Sequence, residues 1–143
     1  DLSLKKLGLK MEDSKKYYLL SHSLGIPQIN TNELQDKLFG LECNFEKFNG
    51  FDFKKGCYIG QENTARMKLK NKVRKILLPI SFNEQIPALS EITYKEKIVG
   101  KILISGPYPF GLFKTVDPDI KELIKGDLSS KNTKLKIINV LYT

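Results

Sequence analysis

The sequence predicts an α+β protein in which a helical N-terminal part is followed by a small antiparallel β-barrel. Helical signals occupy the chain up to about residue 72. Beyond that point, short apolar runs are separated by close turns, which is typical of small barrels. The composition of the 143 residues, 41% hydrophobic and 28% charged, is that of a globular protein with one ordinary domain or two very small ones. We therefore assign residues 1–72 to the helical part and residues 73–143 to the barrel.

The first long helix is bounded by residues that commonly begin and end helices. Asp13 or Ser14 can cap its N-terminus. Gly25 and Pro27 end it after Leu24.

Two further helical pieces lie on either side of a stretch rich in phenylalanine. A short one follows Asn32 and runs through Leu34 and Leu38, and a longer one covers residues 61–68. Between them, Asn49-Gly50 predicts a turn. The aromatic residues around this turn are Phe45, Phe48, Phe51 and Phe53.

The strands of the barrel are predicted from apolar runs and from the turns between them. Pro79 predicts an edge position or a bulge in the first strand, because proline donates no ladder hydrogen bond. Lys95-Glu96 turns a hairpin, and Pro118, at the N1 position after Asp117, opens a short helix that ends before Gly126. The predicted strands cover residues 75–80, 91–94, 97–104, 110–116 and 135–141.

The formal net charge of +8 does not by itself predict nucleic-acid binding. All but two of the 24 basic residues are lysines, and they are scattered in ones and twos. Scattered lysines are typical of a solvated surface, whereas a binding stripe is clustered, with arginines or aromatic residues interleaved. We therefore expect no direct nucleic-acid partner. The two arginines, Arg66 and Arg74, are better candidates for binding residues than the lysines, because arginine offers a planar, bidentate fork.

The cellular setting is predicted from what the sequence contains and lacks. No apolar run approaches the length of a membrane span, so we expect no membrane partner. Two cysteines without a secretory signal indicate a reducing compartment, for which the cytoplasm is the simplest interpretation. The sequence starts at Asp1 rather than at a methionine, and we expect it to be a piece of a longer protein.

Elimination leaves one segment as the candidate site. His22 is the only histidine and lies in a predicted apolar helix, where a packed or surface role is the usual one. With one histidine and two unpaired cysteines, no metal site is expected. The sequence contains no Walker or Rossmann phosphate loop and no nucleophile elbow. The segment around Cys57 remains.

The setting of Cys57 favours a reactive thiolate. Gly56 and Gly60 flank it and permit unusual backbone angles and the close approach of a ligand. The helix that follows and the nearby Lys54 and Lys55 would stabilise the thiolate. A small buried cysteine on a tight turn is the alternative, and the residues alone do not decide between the two. By contrast, the neighbouring Glu42 and burial among aromatic residues should raise the pKa of Cys43.

The octapeptide Lys55-Gly56-Cys57-Tyr58-Ile59-Gly60-Gln61-Glu62 resembles the signature of the YgfZ-type folate-binding proteins at every fixed position. Similar flanking segments extend the resemblance over nearly the whole chain, as the C-terminal part of such a protein. The family is related to the T-protein of the glycine cleavage system, whose equivalent turn normally lacks the cysteine. The resemblance therefore implies that residues 1–72 form the latter part of a folate-binding core.

The resemblance also implies a function and a set of site residues. The function is that of a folate-dependent accessory protein in iron–sulfur protein assembly or repair, and through it in tRNA modification, with iron–sulfur proteins as clients. Cys57 would be the reactive or ligand-contacting thiol, and the cofactor would be tetrahydrofolate or a derivative. Arg66 is a candidate for the glutamate tail of folate, with an ordinary salt bridge as the alternative. The other residues implied in cofactor binding are Lys55, Gly56, Tyr58, Gly60, Gln61, Glu62 and Glu42.

Two other functions stay open at this point. One is a tetrahydrofolate-dependent aminomethyltransferase of the T-protein class, against which Cys57 counts. The other is a basic nucleic-acid-binding module built on the barrel. Whether the chain belongs to an enzyme is left open by the resemblance.

Overall fold

The architecture comes from a computed structural model that describes residues 2–70 and 73–138. Within these residues, four α-helices and two 3₁₀ helices accompany six strands. The α-helices are α1 (Leu2–Lys6), α2 (Ser14–Ser23), α3 (Gln61–Leu69) and α4 (Ile120–Lys125), and the 3₁₀ helices are Thr31–Leu34 and Gly40–Cys43. The strands are β1 (Lys75–Phe82), β2 (Glu91–Tyr94), β3 (Lys97–Ile104), β4 (Phe110–Lys114), β5 (Leu128–Ser130) and β6 (Thr133–Ile137).

The six strands form a closed barrel in the order β1-β4-β3-β2-β5-β6, and every pair is antiparallel. The barrel closes along β1, which pairs through residues 75–79 with β4 and through residues 80–82 with β6. The predicted fold class, α+β with a small antiparallel barrel, is confirmed. It is consistent with the C-terminal part of the folate-binding fold that the octapeptide resembles.

The interior of the barrel is filled by large apolar side chains at alternate strand positions. Phe113 is fully buried there, and Gly111 leaves room for its ring: a Cβ at Gly111 would lie 2.8 Å from Phe113 Cε2. α4 adds Ile120 and Leu123 to this interior core. The strand residues of the core are Ile76, Leu78, Ile80, Ile92, Val99, Ile102, Phe113, Leu128, Leu135 and Ile137.

The helical part packs on the outer face of β1, β3 and β4. Leu34 and Leu38 cover a second apolar cluster on that face, formed by Leu77, Leu103, Ile104, Phe110 and Leu112. The buried Asn44 donates a 2.8 Å hydrogen bond from Nδ2 to the carbonyl of Leu77, so the contact is polar as well as apolar. The described helical and barrel residues thus share one interface, while the division at residue 72 stays a prediction.

The helices and the hairpin turn agree closely with the sequence predictions. Asp13 caps α2 by accepting a hydrogen bond from the backbone N–H of Lys15, and Gly25, at φ 79°, follows the helix. The residues Lys95 and Glu96 form the hairpin turn, at φ 47° and 64°. The short helical piece that was predicted after Asn32 is a 3₁₀ helix, which starts at Thr31 and ends at Leu34 rather than continuing to Leu38.

Five predictions about the barrel were wrong, and one strand was missed. The first strand was predicted to end at Ile80, but β1 continues to Phe82. Pro79 is neither in an edge strand nor at a bulge, because β1 has a neighbour on each side and its ladders with β4 and β6 run without a register shift. Pro79 is the last residue before the β1–β6 ladder begins. β4 ends at Lys114 because its partner β1 starts opposite that residue. Pro118 is not at N1, because Asp119 is the extended N-cap of α4. β5 was not predicted, and β6 starts two residues early, at Thr133; the predicted strand residues 139–141 lie outside the described residues.

Candidate functional site

The octapeptide forms an exposed turn that leads into α3. Cys57 is a free cysteine, and its side chain is exposed to solvent. Gly60 is the N-cap of α3 and has a φ of 86°, a left-handed conformation that favours glycine. Gly56 has no such requirement, since its φ is not positive and a Cβ placed there would meet no atom within 4 Å. Only Gly60 therefore has the conformational role expected of both glycines.

Gln61 closes the turn in both directions. Its side-chain Oε1 accepts a 3.2 Å hydrogen bond from the backbone N–H of Tyr58, and its own N–H donates to the carbonyl of Tyr58 at 3.2 Å. The ammonium group of Lys55 lies 5.7 Å from the centroid of the Tyr58 ring, within the range of a cation–π contact. These contacts order the residues on both sides of Cys57 and leave its thiol outside.

Glu62 and Arg66 pair with each other rather than with the turn. Arg66 Nη2 lies 2.6 Å from Glu62 Oε1, one helical turn away on α3. Both side chains are more than half exposed, at 80% for Glu62 and 59% for Arg66, so the pair contributes about 1 kcal/mol or less. A carboxylate ligand could therefore compete for Arg66 at small cost.

Glu42 is buried in the second 3₁₀ helix and has a structural partner. Its Oε2 accepts a 3.0 Å hydrogen bond from the backbone N–H of Phe39, which completes the N-terminal cap of that helix. The same helix contacts both α3 and β1. Glu42 thus supports the segment on which α3 rests, and a contact with cofactor stays a prediction.

Cys43 lies in surroundings opposite to those of Cys57. It is half-buried and lines an apolar cavity of about 320 Å³ together with Pro27, Phe45 and Phe48. Burial, and secondly the carboxylate of Glu42, raise the pKa of the Cys43 thiol to about 11. The expected rise in this pKa and its two causes are confirmed.

His22 is a packed residue, which is one of the two roles, packed or surface, that its helical position left open. Its Nε2 lies 2.8 Å from the carbonyl oxygen of Pro109, and its ring meets Phe110 edge-on at 5.1 Å. Burial lowers the pKa of His22. The side chain therefore joins α2 to the barrel.

One arrangement is not evident from the sequence: lysines from β1, β3 and β4 surround a groove on the barrel. Strand alternation alone places these lysines on the outer face. Their convergence on one groove depends on which strands pair and in which register, and this is not evident from the sequence. Among residues 2–70 and 73–138, no three His, Cys, Asp or Glu side chains are grouped so that they could hold a metal ion. Over the same residues, every helix is too short or too polar to cross a membrane.

Comparison with known proteins finds relatives that share a name. No protein-family model matches the chain. The chain is 34% identical over 113 residues to an iron-sulfur cluster assembly factor IBA57 homolog, mitochondrial, of Neurospora crassa; the match covers 78% of this chain and 23% of that protein. It is 29% identical over 139 residues to the mitochondrial IBA57 of Mus musculus, covering 92% of this chain and 37% of that protein.

The similarity is at the level of a family, and it covers only a part of each relative. The chain spans about a quarter to just over a third of the length of these two proteins. A relative from Dictyostelium discoideum with the same name as the Neurospora crassa protein is 41% identical over 69 residues, which is 48% of this chain and 17% of that protein. Because these relatives are named mitochondrial, the predicted cytoplasmic location is contradicted. Absence of a signal at Asp1 could not decide the compartment in a sequence that spans so small a share of its relatives.

Proposed function

We propose that this chain acts in the assembly or repair of iron–sulfur proteins, and that it does so in mitochondria. The observation that carries the proposal is the exposed thiol of Cys57, presented on a turn that Gly60 and Gln61 hold in place. The similarity to proteins named iron-sulfur cluster assembly factors supports it. Iron–sulfur proteins are the partners that follow from this role.

The chemistry of the site suits a transient contact with iron. Thiolates are the usual ligands of iron–sulfur clusters, and an exposed one is accessible to a second protein. No group of metal-binding side chains surrounds Cys57 among the described residues. Cys57 would therefore supply one ligand to a cluster, and the client would supply the others.

Folate binding is the second component of the proposal. The complete protein would bind tetrahydrofolate or a derivative, with Arg66 facing the carboxylates of its glutamate tail. The weak, exposed pair of Arg66 with Glu62 supports this role, because a ligand carboxylate can replace Glu62. An effect on tRNA modification would follow indirectly, through iron–sulfur enzymes that modify tRNA.

A complementation experiment tests the role of Cys57. The complete reading frame, with Cys57→Ala or with Cys43→Ala as the matched control, is expressed in cells that lack the protein. We expect cells with the Cys57 variant to lose the activity of their mitochondrial iron–sulfur enzymes. Cells with the Cys43 variant should retain that activity. Equal thermal unfolding of the two proteins excludes misfolding. Full activity of the Cys57 variant would refute the proposal.

Calorimetric titration of the complete protein with tetrahydrofolate tests the second component. Arg66→Gln should weaken binding by about tenfold, the effect of losing one charge-assisted contact. Lys70→Gln, which removes an exposed charge one turn further along, should leave affinity unchanged. Equal affinity of the Arg66 variant and the unmodified protein would remove Arg66 from the site.

A further inference from the structure

The outer face of the barrel carries a lysine-rimmed groove that the proposed function does not use. The register of β1, β4 and β3 places the residues of this groove side by side. Lys75 lies opposite Lys114, and Lys101 lies opposite Leu112. Directly opposite residues of antiparallel strands share a face, as do residues two apart in one strand. The three lysines therefore converge on one face. The groove between them has a volume of about 310 Å³.

The floor of the groove is apolar. Leu112 is buried beneath it, while Ile98 and Leu89 line it with exposed fractions of 46% and 57%. Single exposed apolar residues are ordinary on protein surfaces. Here Leu89 and Ile98 line the same groove as the buried Leu112, and charged side chains line it with them. An apolar centre with a charged rim is the usual anatomy of a protein-recognition surface.

The rim has an excess of positive charge without ion-pair partners. Among the residues the structure describes, Lys75, Lys101 and Lys114 form no ion pair. Glu91 also lines the groove, opposite Lys101 in the ladder, so the lining carries three positive charges and one negative charge. Lys114 Nζ donates a 3.0 Å hydrogen bond to the carbonyl of Ile98, which fixes its charge at the edge of the floor. Two lysines directly opposite each other repel, so an anionic ligand between them would relieve that repulsion.

We propose that this groove binds a short acidic segment of a partner protein, with an apolar side chain on the floor and carboxylates at the rim. The volume of the groove is at the lower limit of pockets for drug-sized ligands, which are about 300–1,000 Å³. The walls of the groove are open to solvent and would not enclose a small molecule, so a segment of a protein suits it better. The barrel is closed, so a partner segment cannot bind by adding a strand and must use its side chains. The proposal does not depend on Cys57 or on folate.

The test uses the 143-residue chain and a fluorescent hexapeptide with a leucine and a phenylalanine between two pairs of glutamates. Fluorescence anisotropy at 25 mM NaCl measures affinity, and amide NMR shifts locate the peptide. We expect shifts at Ile98, Gly100 and Lys101, and affinity that falls with salt, as exposed lysine–carboxylate pairs require. No shift at these residues would overturn the proposal.

Charge-reversed variants distinguish binding in the groove from nonspecific attraction of the acidic peptide to the net positive charge of the chain. The double variant Lys75→Glu, Lys101→Glu should bind the peptide at least tenfold more weakly. Lys134→Glu, Lys136→Glu makes the same change of net charge on the exposed side of β6 and should alter affinity less than twofold. Circular dichroism melting checks that both variants fold.

Three results would count against an acidic protein segment. Equal loss of affinity in the two double variants would indicate diffuse attraction. A peptide with glutamines in place of the glutamates that binds equally well would remove the role of the lysines. A 12-nucleotide single-stranded DNA that shifts the same amides and displaces the peptide at lower concentration would indicate a nucleic-acid surface instead.

Discussion

Alkylation of the two cysteines should differ by at least two orders of magnitude in the folded chain. The thiolate is the form that reacts, and Cys57 is exposed whereas Cys43 is half-buried. The rise in the pKa of Cys43 from 9.0 to about 11 lowers its thiolate fraction about a hundredfold at any pH below about 8. At pH 7.5 this leaves roughly one thiolate in 3,000 molecules. The apolar walls around Cys43 restrict the reagent further.

The assay is a time course with iodoacetamide at pH 7.5, read by mass spectrometry of the two cysteine-containing peptides. The single-cysteine variants Cys43→Ser and Cys57→Ser give each rate separately. Between pH 7.5 and 9.5 the rate at Cys43 should rise about tenfold per pH unit, because its thiolate fraction does so below the pKa. In 8 M urea the two rates should approach each other, since both shielding and the Glu42 contact are lost.

Two results would refute this reasoning. If Cys43 reacted as fast as Cys57 in the folded chain, the burial of Cys43 would not control its chemistry. If the rate at Cys43 reached its plateau near pH 8, the rise in its pKa would be wrong. Either outcome would leave the role of Cys57 to be decided by complementation alone.

Three further outcomes are expected. Burial lowers the pKa of His22, so its contribution to stability is present above its usual pKa of 6.5 and is lost as pH falls; urea midpoints should drop from pH 7.5 to 5.5, and less so in His22→Gln. An equal drop in the urea midpoint of the unmodified chain and of His22→Gln would show that His22 is not the cause. Gly100→Ala should lower the free energy of unfolding by about 1–3 kcal/mol, because its Cβ would lie 2.5 Å from the Leu112 carbonyl oxygen; Gly56→Ala, with open space, is the matched control, and equal stability would contradict the clash. Binding to random-sequence DNA should be weak and vanish at 150 mM NaCl; retention would favour a nucleic-acid module.

The sequence was sufficient where a local signal determines the structure. Asp13 caps α2 through its own side chain, and the hairpin turns at Lys95-Glu96, as predicted. The rise in the pKa of Cys43 was also predictable, because one cause is the adjacent residue Glu42 and the other is the aromatic stretch around it. In each case the decisive partner is a near neighbour in the chain.

Features that depend on distant partners were not predictable. β5 has three residues, too few for an alternating pattern, and its pairing with β2 joins positions 93 and 129. The extension of β1 from its predicted end at Ile80 to Phe82 requires β6, which follows more than fifty residues later. The lysine-rimmed groove likewise needs the register of three strands. The salt bridge between Glu62 and Arg66 on α3 differs from these features, because its two residues are four apart and an ordinary salt bridge was already the alternative for Arg66.

Closure of the barrel along β1 also fixes when the fold can be completed during synthesis. Residues 80–82 of β1 leave the ribosome early but acquire their partners only when residues 135–137 of β6 have emerged. Until then β1 can pair with β4, and Ile80 can donate its N–H to the carbonyl of Pro109, while the backbone groups that bond β6 stay open. Such contacts between distant parts of a chain form slowly, and an unpaired strand end can associate with other chains. A nascent chain that ends before Leu135 therefore cannot close the barrel.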